Sequence, residues 1–276
     1  MIHEEYKKIN KYDNDYAMLK LKSSSSIKPI QLASPYTSPF LTEAKALGWG
    51  DIIPSAVSGS DLFNKKEVSV KKLREVDLPI VSHSVCLRSM VRFFDGDLLT
   101  DNMICAGNGL GNKDACRGDS GGPLIAFSPF SKTWIHAGVT SFGYGCALPD
   151  TYGVYAKTQK ITAWLSDLMC SKEEFPDTPS SVTFDIHNDN SVTFTWDSVD
   201  GATGYHLNYW YWMDDEQKTS PKKSIDLNSN TFTTSGPVDT GTYSISITSY
   251  KNNCLGEETK EKPLHVSTAK NQGNGA

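Results

Sequence analysis

Over residues 1 to about 170, short apolar runs alternate with clusters of Gly, Pro and Ser. That rhythm predicts many short strands joined by turns, an all-β barrel or sandwich. It gives way at "KITAWLSDLM", where Ile161, Trp164, Leu165 and Leu168 fall at helical spacing and predict a helix. "CSKEEFPDTPSS" follows, polar and punctuated by Pro176 and Pro179, and reads as a linker. A second set of short strands occupies residues 178–268. In its longest run, alternation puts Tyr205, Leu207, Tyr209 and Tyr211 on one face and turns His206, Asn208, Trp210 and Trp212 the other way. The tail, 269–276, ends in "NQGNGA" and is too polar and glycine-rich to fold. The expected division is a first domain over 1–172, a linker at 173–178, a second domain over 178–268 and the disordered tail.

Composition narrows the function classes. At 276 residues the chain has room for two cores. Hydrophobic content of 38% with 21% charged positions describes a soluble globular protein. A net charge of −5 argues against nucleic acid or an anionic membrane as the main partner. No apolar run approaches the length of a membrane span. The six cysteines fit no zinc spacing, and neither a metal nor a cofactor is expected. The opening "MIHEEYKKINKYDND" carries no secretory apolar region.

The densest chemistry lies in "NKDACRGDSGGPL", residues 112–124. A Ser between glycines can sit on a tight loop whose backbone N–H groups converge on one point. Gly118 and Ser120 would supply two such donors, an oxyanion hole for a tetrahedral intermediate. A glycine-rich turn without chemistry is the competing reading. The ordered run of residues around Ser120, however, closely resembles the nucleophile loop of chymotrypsin/trypsin-like serine proteases.

The resemblance extends upstream and downstream. "YDNDYAMLKL", residues 12–21, is similar to the family's segment bearing the aspartate that orients the catalytic histidine, which places that role on Asp15. Asp114 stands six positions before Ser120, where trypsin-like members carry an acidic residue at the floor of the specificity pocket. "TSFGYGCALPDTYGVYAK" resembles the pocket walls, with Ser141, Gly143 and Gly153 at matching positions and Phe142 in place of the usual Trp. Glycines there leave room for a long basic side chain. The resemblance therefore implies protein or peptide substrates cleaved after Arg or Lys.

It also implies two disulfides, Cys86–Cys105 and Cys116–Cys146, and with them a secreted, oxidising setting. A further family bridge joins the strand before "GWG" to the strand after "GGPL". Here those sites are Ala44 and Ala126, both halves missing together. Cys170 and Cys254 remain, in different expected domains. An interdomain bridge is one expectation; a partner lost to Cys170 is the other.

Three family features find no counterpart. None of the six histidines maps onto the base: His3 sits in the approach to Asp15, His83 in a loop, His136 in a barrel strand. The mature amino terminus, which in the family pairs with the residue here numbered Asp119, has no match. Asp119 is therefore expected either to be an unpaired buried charge or to turn outward, leaving the oxyanion hole unformed. The first barrel is reduced to its last strands. The implied fold is a trypsin-like double β-barrel, second barrel complete and first mostly missing, with a C-terminal helix. The implied function is that of a serine endopeptidase, N-terminally truncated and without turnover on its own. A non-catalytic homologue acting as a binding module is the alternative.

In the second domain, "SVTFTWDSVDGATGYHLNYWYW" resembles a fibronectin type III module, an immunoglobulin-like β-sandwich. "GPVDTGTYSISITSY" resembles its later strand, with Tyr243 placed for a tyrosine corner. Trp210 and Trp212, both turned outward, would form a platform for a carbohydrate or protein partner. Packing against a neighbouring strand or the first domain is the plainer expectation. This part adds no catalytic residue.

Overall fold

The computed structural model describes residues 1–33, 42–52, 71–94, 99–128, 132–171, 174–213, 218–220 and 222–267. The tail at 269–276, residue 268 and linker positions 172 and 173 lie outside the described residues. The described chain separates into two compact units with the boundary at Thr162/Ala163.

The first unit is built from β1 (Gln31–Leu32), β2 (Ala44–Gly48), β3 (Arg74–Asp77), β4 (Ile80–Val81), β5 (Met103–Ala106), β6 (Pro123–Ser128), β7 (Thr133–Phe142) and β8 (Gly153–Lys157). Helix α1 (His83–Met90) lies between β4 and β5; α2 (Thr162–Met169) follows β8 and, all but Thr162, falls in the second unit. The strands form one sheet in the order β3-β2-β6-β7-β8-β5-β4, with β1 parallel to β7. Its two ends belong to one extended stretch, parted only by Leu78 and Pro79. Leu78 donates its N–H to the Ala44 carbonyl on the β2 side, and the Pro79 carbonyl accepts from Gly107 on the β5 side. The sheet therefore closes on itself as a barrel.

Alternation along β6 buries every second side chain, and the barrel fills with Ala44, Ala46, Ala106, Ala126 and Ala137 around Leu78, Leu124 and Tyr155. Small residues are needed where strands curl tightly, and three large ones fill the remaining space. Ala44 and Ala126 lie directly opposite each other on β2 and β6. Helix α1 starts at Ser82, whose side chain accepts from the Val85 N–H, and Cys86 ties it to Cys105 of β5. Residues 1–30 hold only an isolated bridge, Ile2 to Ala17, among turns. Leu19 and Ile27 there stay 86% and 81% exposed, so this segment leaves an apolar face open.

The second unit contains β9 (Val182–Ile186), β10 (Val192–Trp196), β11 (Gly204–Met213), β12 (Lys218–Thr219), β13 (Lys223–Leu227), β14 (Thr231–Thr233), β15 (Gly241–Lys251), β16 (Cys254–Glu258) and β17 (Lys262–Val266). One sheet runs β14-β10-β9. The other runs β12-β11-β15-β16, with β13 also on β11 and β17 on β15. Both contribute to a single core of Val192, Phe194, Trp196, Leu207, Ile245, Ile247 and Leu264, with Tyr205 set edge-on to Trp196. The Tyr243 hydroxyl donates to the Asp239 carbonyl at 2.9 Å.

His206 and Asn208 do not face solvent: β13 and β15 flank β11 on both sides, and the two residues are 1% and 0% exposed. His206 bonds Asp226, while Asn208 donates to Thr248 Oγ1 and Glu258 Oε1. Of the two tryptophans only Trp212 is open, at 51%; the Lys222 ammonium lies 4.7 Å over the Trp210 ring. Cys170 and Cys254 are bonded to each other, so the alternative of a lost partner falls away; both lie in the second unit, and the bridge staples that unit internally. The linker prolines Pro176 and Pro179 are buried, and the Asp177 carbonyl accepts from Ser249 Oγ at 2.6 Å.

Because the Phe127 N–H bonds the Glu43 carbonyl, the neighbouring Ala44–Ala126 pair is the close, non-hydrogen-bonded kind. The double substitution Ala44→Cys, Ala126→Cys should oxidise spontaneously and stabilise the first unit by about 2–4 kcal/mol. Thiol titration and denaturant midpoints with and without reductant measure both effects.

Candidate active site

Residues 12–16 carry four anchors in a row. Tyr12 stacks on Phe142 with ring centroids 4.2 Å apart. The Asp13 carboxylate, fully buried, accepts from Thr100 Oγ1, Asn102 Nδ2 and Asn14 Nδ2. Tyr16 donates its hydroxyl to the Lys157 carbonyl at 2.6 Å. Between them Asp15 accepts from Ser141 Oγ at 2.7 Å. The last bond gives Ser141 a task beyond the pocket wall: its hydroxyl holds the carboxylate of Asp15.

The loop around Ser120 is laced to β7 by Gly121 N–H to the Thr140 carbonyl, 2.9 Å, and Thr140 N–H to the Gly122 carbonyl, 2.8 Å. Asp119 turns inward rather than outward, and it is not unpaired. One carboxylate oxygen accepts from the Gly50 N–H at 2.7 Å, the other from the Cys116 N–H at 2.8 Å. Two backbone donors suffice to hold it, since a charged acceptor strengthens each bond. Gly48 and Gly50 make the room: a Cβ on Gly48 would stand 1.9 Å from the Asp119 carboxylate. Gly118 takes φ +91, a conformation that favours glycine. Among the described residues, neither the Gly118 N–H nor the Ser120 N–H has an acceptor, and Ser120 is exposed. Both donors are free to receive a negatively charged oxygen.

Ser120 opens onto a cleft of about 210 Å³ lined also by Asp114, Ser141, Phe142, Gly143 and Gly153. The Cys116–Cys146 disulfide joins the loops on its two sides. Phe142 forms one wall, backed by Tyr12 and by the edge of Phe94. At the floor, Asp114 Oδ2 accepts from the Ala147 N–H at 3.0 Å, whereas Oδ1 is buried without a partner among the described residues. The Tyr155 hydroxyl is equally buried and unpartnered. A Cβ on Gly153 would lie 3.0 Å from Asp114 Oδ1 and 3.1 Å from the Tyr155 oxygen, so a side chain there would fill the space between them. Burial pushes the Asp114 carboxyl up to about 6, with the Ala147 and Ala115 N–H groups holding it down and the Asp119 charge adding to the rise.

The structure thus brings Ser120, Gly118, Asp114, Ser141, Gly143 and Gly153 around one cleft and joins Asp15 to it through Ser141. No histidine lines that cleft. His3 accepts from the Glu5 N–H, His136 meets Thr158, His187 meets Thr193, His206 meets Asp226, His265 meets Thr242, and His83 opens α1. Sequence reasoning gave no part to Tyr155, Gly48 or Gly50. Their signals were present in "GVY" and "GWG", but their use depends on what approaches them.

Asp114 ionises less readily folded than unfolded, so its charge weakens the fold as pH rises from about 4 to about 6, and the loss persists above. Asp114→Asn keeps an acceptor for Ala147 and should raise stability by about 1–3 kcal/mol near pH 8, with no gain near pH 4. Thermal denaturation at the two pH values measures this.

Residues 1–165 match the family described as Trypsin. The protein named "Serine protease 1" of Rattus norvegicus is similar at 33% identity over 163 residues, 58% of this chain and 57% of that protein. The chain spans a little over half the length of this curated relative. With the family match covering more than half of the 276 residues, and with a closed barrel carrying an exposed Ser120 beside a cleft, the chain belongs to the trypsin family of serine proteases.

Proposed function

We propose that these residues form the nucleophile and substrate-binding part of a serine endopeptidase that cleaves after Arg or Lys. The observation that carries this reading is the unpartnered Oδ1 of Asp114, buried at the base of the cleft that Ser120 opens onto. A buried carboxylate without a partner is costly unless a cation meets it, and the glycine walls admit only a long, thin side chain. In this reading Ser120 Oγ attacks the carbonyl after the basic residue, and the Gly118 and Ser120 N–H groups hold the oxyanion. Asp15, fixed by Ser141, orients a histidine that takes and returns the proton, and water then releases the acyl-enzyme.

Among the described residues no histidine lines the cleft, and this reading gives none of the six the part of the base. The chain on its own is then a binder without turnover. The second unit reads as a fibronectin type III-like module that positions the protease, supported by Trp196 against Tyr205 and by the Tyr243–Asp239 bond. Among the described residues Trp212 is the most open of its aromatic side chains, a contact for a protein or carbohydrate partner. Three formed disulfides favour a secreted setting.

An arginine ester offered to the protein should show no turnover above the uncatalysed rate, while benzamidine still binds. Saturable hydrolysis that disappears in Ser120→Ala would show that these residues are catalytically complete and overturn the inactivity of the isolated chain.

A further inference from the structure

We propose that Asn108 is a self-modification site: the Gly109 nitrogen attacks the Asn108 side-chain amide, and water opens the resulting ring to aspartate or isoaspartate, which loosens the floor of the Ser120 cleft. Asn108 follows β5 in "CAGNGLGN" and, among the described residues, is the one asparagine with a glycine after it. A glycine has no side chain to shield its nitrogen from the neighbouring amide. The fold also keeps glycine there. Gly109 takes φ +69, and a Cβ on it would stand 2.8 Å from the Tyr152 hydroxyl oxygen. Its N–H, the group that must react, donates to no acceptor among the described residues. The Asn108 side chain is already folded back: Oδ1 accepts from the Leu110 N–H at 3.0 Å, an Asx turn that tips the amide carbon toward the Gly109 nitrogen and polarises it. Asn190 shows the contrast, because the N–H of the Ser191 that follows it is held by Asp189 Oδ1 at 3.0 Å. Asn108 is only half-buried, so water reaches it.

The Gly109 N–H gives its proton to solvent base, its nitrogen bonds Asn108 Cγ, and the side-chain nitrogen leaves as ammonia, closing a cyclic imide. Water then adds to either imide carbonyl. Breaking the bond from Cγ to nitrogen yields aspartate. Breaking the bond from the main-chain carbonyl carbon yields isoaspartate, in which the chain runs through Cγ and is longer by one carbon. Nothing is oxidised or reduced. The consequence follows from what the loop touches. The Gly109 carbonyl accepts from the Asp150 N–H at 2.9 Å, the Asn112 N–H donates to the Ala147 carbonyl at 3.0 Å, and Leu110 bridges Pro149. Ala147 in turn donates to Asp114 Oδ2 at 3.0 Å, so this loop backs the cleft floor. A lengthened backbone at 108 cannot keep that register. The new carboxylate also replaces the amide that donates to Asn112 Oδ1 at 3.4 Å. The effect on ligand binding rests on the reading of Asp114 as the cation site.

The 276-residue protein can be aged for weeks in mildly acidic and mildly alkaline buffer and mapped by peptide mass spectrometry, with isoaspartate read by an isoaspartyl methyltransferase. Residue 108 should exchange its NH2 for OH faster than any other described asparagine, and about tenfold faster per pH unit, because the attacking nitrogen must first lose its proton. Asn108→Gln should abolish the change. Benzamidine affinity should fall about three- to tenfold in the converted protein and hold in aged Asn108→Gln. Fresh Asn108→Asp, which adds the charge without the extra carbon, should lose less. An Asn108 that keeps its amide through alkaline ageing overturns the inference. Conversion with unchanged benzamidine affinity overturns its link to the cleft. If fresh protein does not bind benzamidine, or Asp114→Ala binds it equally well, the reading of Asp114 falls, while the mass map still decides the modification of Asn108.

Discussion

The carboxylate of Asp119 is the constraint on which the site depends. It stands one residue before Ser120 and accepts from Gly50 on one side and Cys116 on the other. Those two bonds join the loop around Ser120 to the residues that follow β2 and tie the Cys116 N–H back to the same carboxylate. The Gly118 and Ser120 N–H groups are left over. Gly48 and Gly50 are the counterpart on the other strand, since any side chain would occupy the carboxylate's place. The closed barrel beneath supplies the rigidity: β2, β6 and β7 lie side by side, so a loop laced to two of them has little freedom.

A second tether brings the N-terminal segment to the same place. Residues 12–16 have little regular structure of their own, yet Tyr12 and Asp15 meet the end of β7 at Phe142 and Ser141, Asp13 meets Thr100 and Asn102, and Tyr16 meets the end of β8 at Lys157. Such a segment is held by the sum of side-chain contacts rather than by a ladder. That explains how Asp15 can stay placed although residues 1–30 contribute no sheet and leave large apolar side chains open. The cleft floor works against stability in a similar way. Asp114 Oδ1 and the Tyr155 hydroxyl are buried without a hydrogen-bond partner among the described residues, which costs stability.

Much of this was legible in the residues. The order of Asp15, Asp114 and Ser120 along the chain, the glycines of the walls and two of the disulfide pairs follow from motifs whose residue types admit few other uses. The paired loss at Ala44 and Ala126 was readable because both halves changed together, and the two do face each other across β2 and β6. The helix over 162–169 was carried by its apolar spacing. Less was legible in the second unit. Alternation along β11 correctly separates two faces, but it cannot say whether the polar face meets water or other strands. His206 and Asn208 are buried because β13, β15 and β16 bring Asp226, Thr248 and Glu258 to them.

The sequence by itself determined which groups are on offer: a serine between glycines, the carboxyl groups of Asp15 and Asp114, and small residues beside them. Those properties reside in single side chains and short spacings. Only the tertiary structure decided how the charges are satisfied. Asp119 turns inward onto Gly50, Asp15 onto Ser141, and Cys170 onto Cys254, across 69, 126 and 84 positions of chain. Partners that far apart are chosen by how the barrel closes and the sheets stack, and no local pattern records that choice.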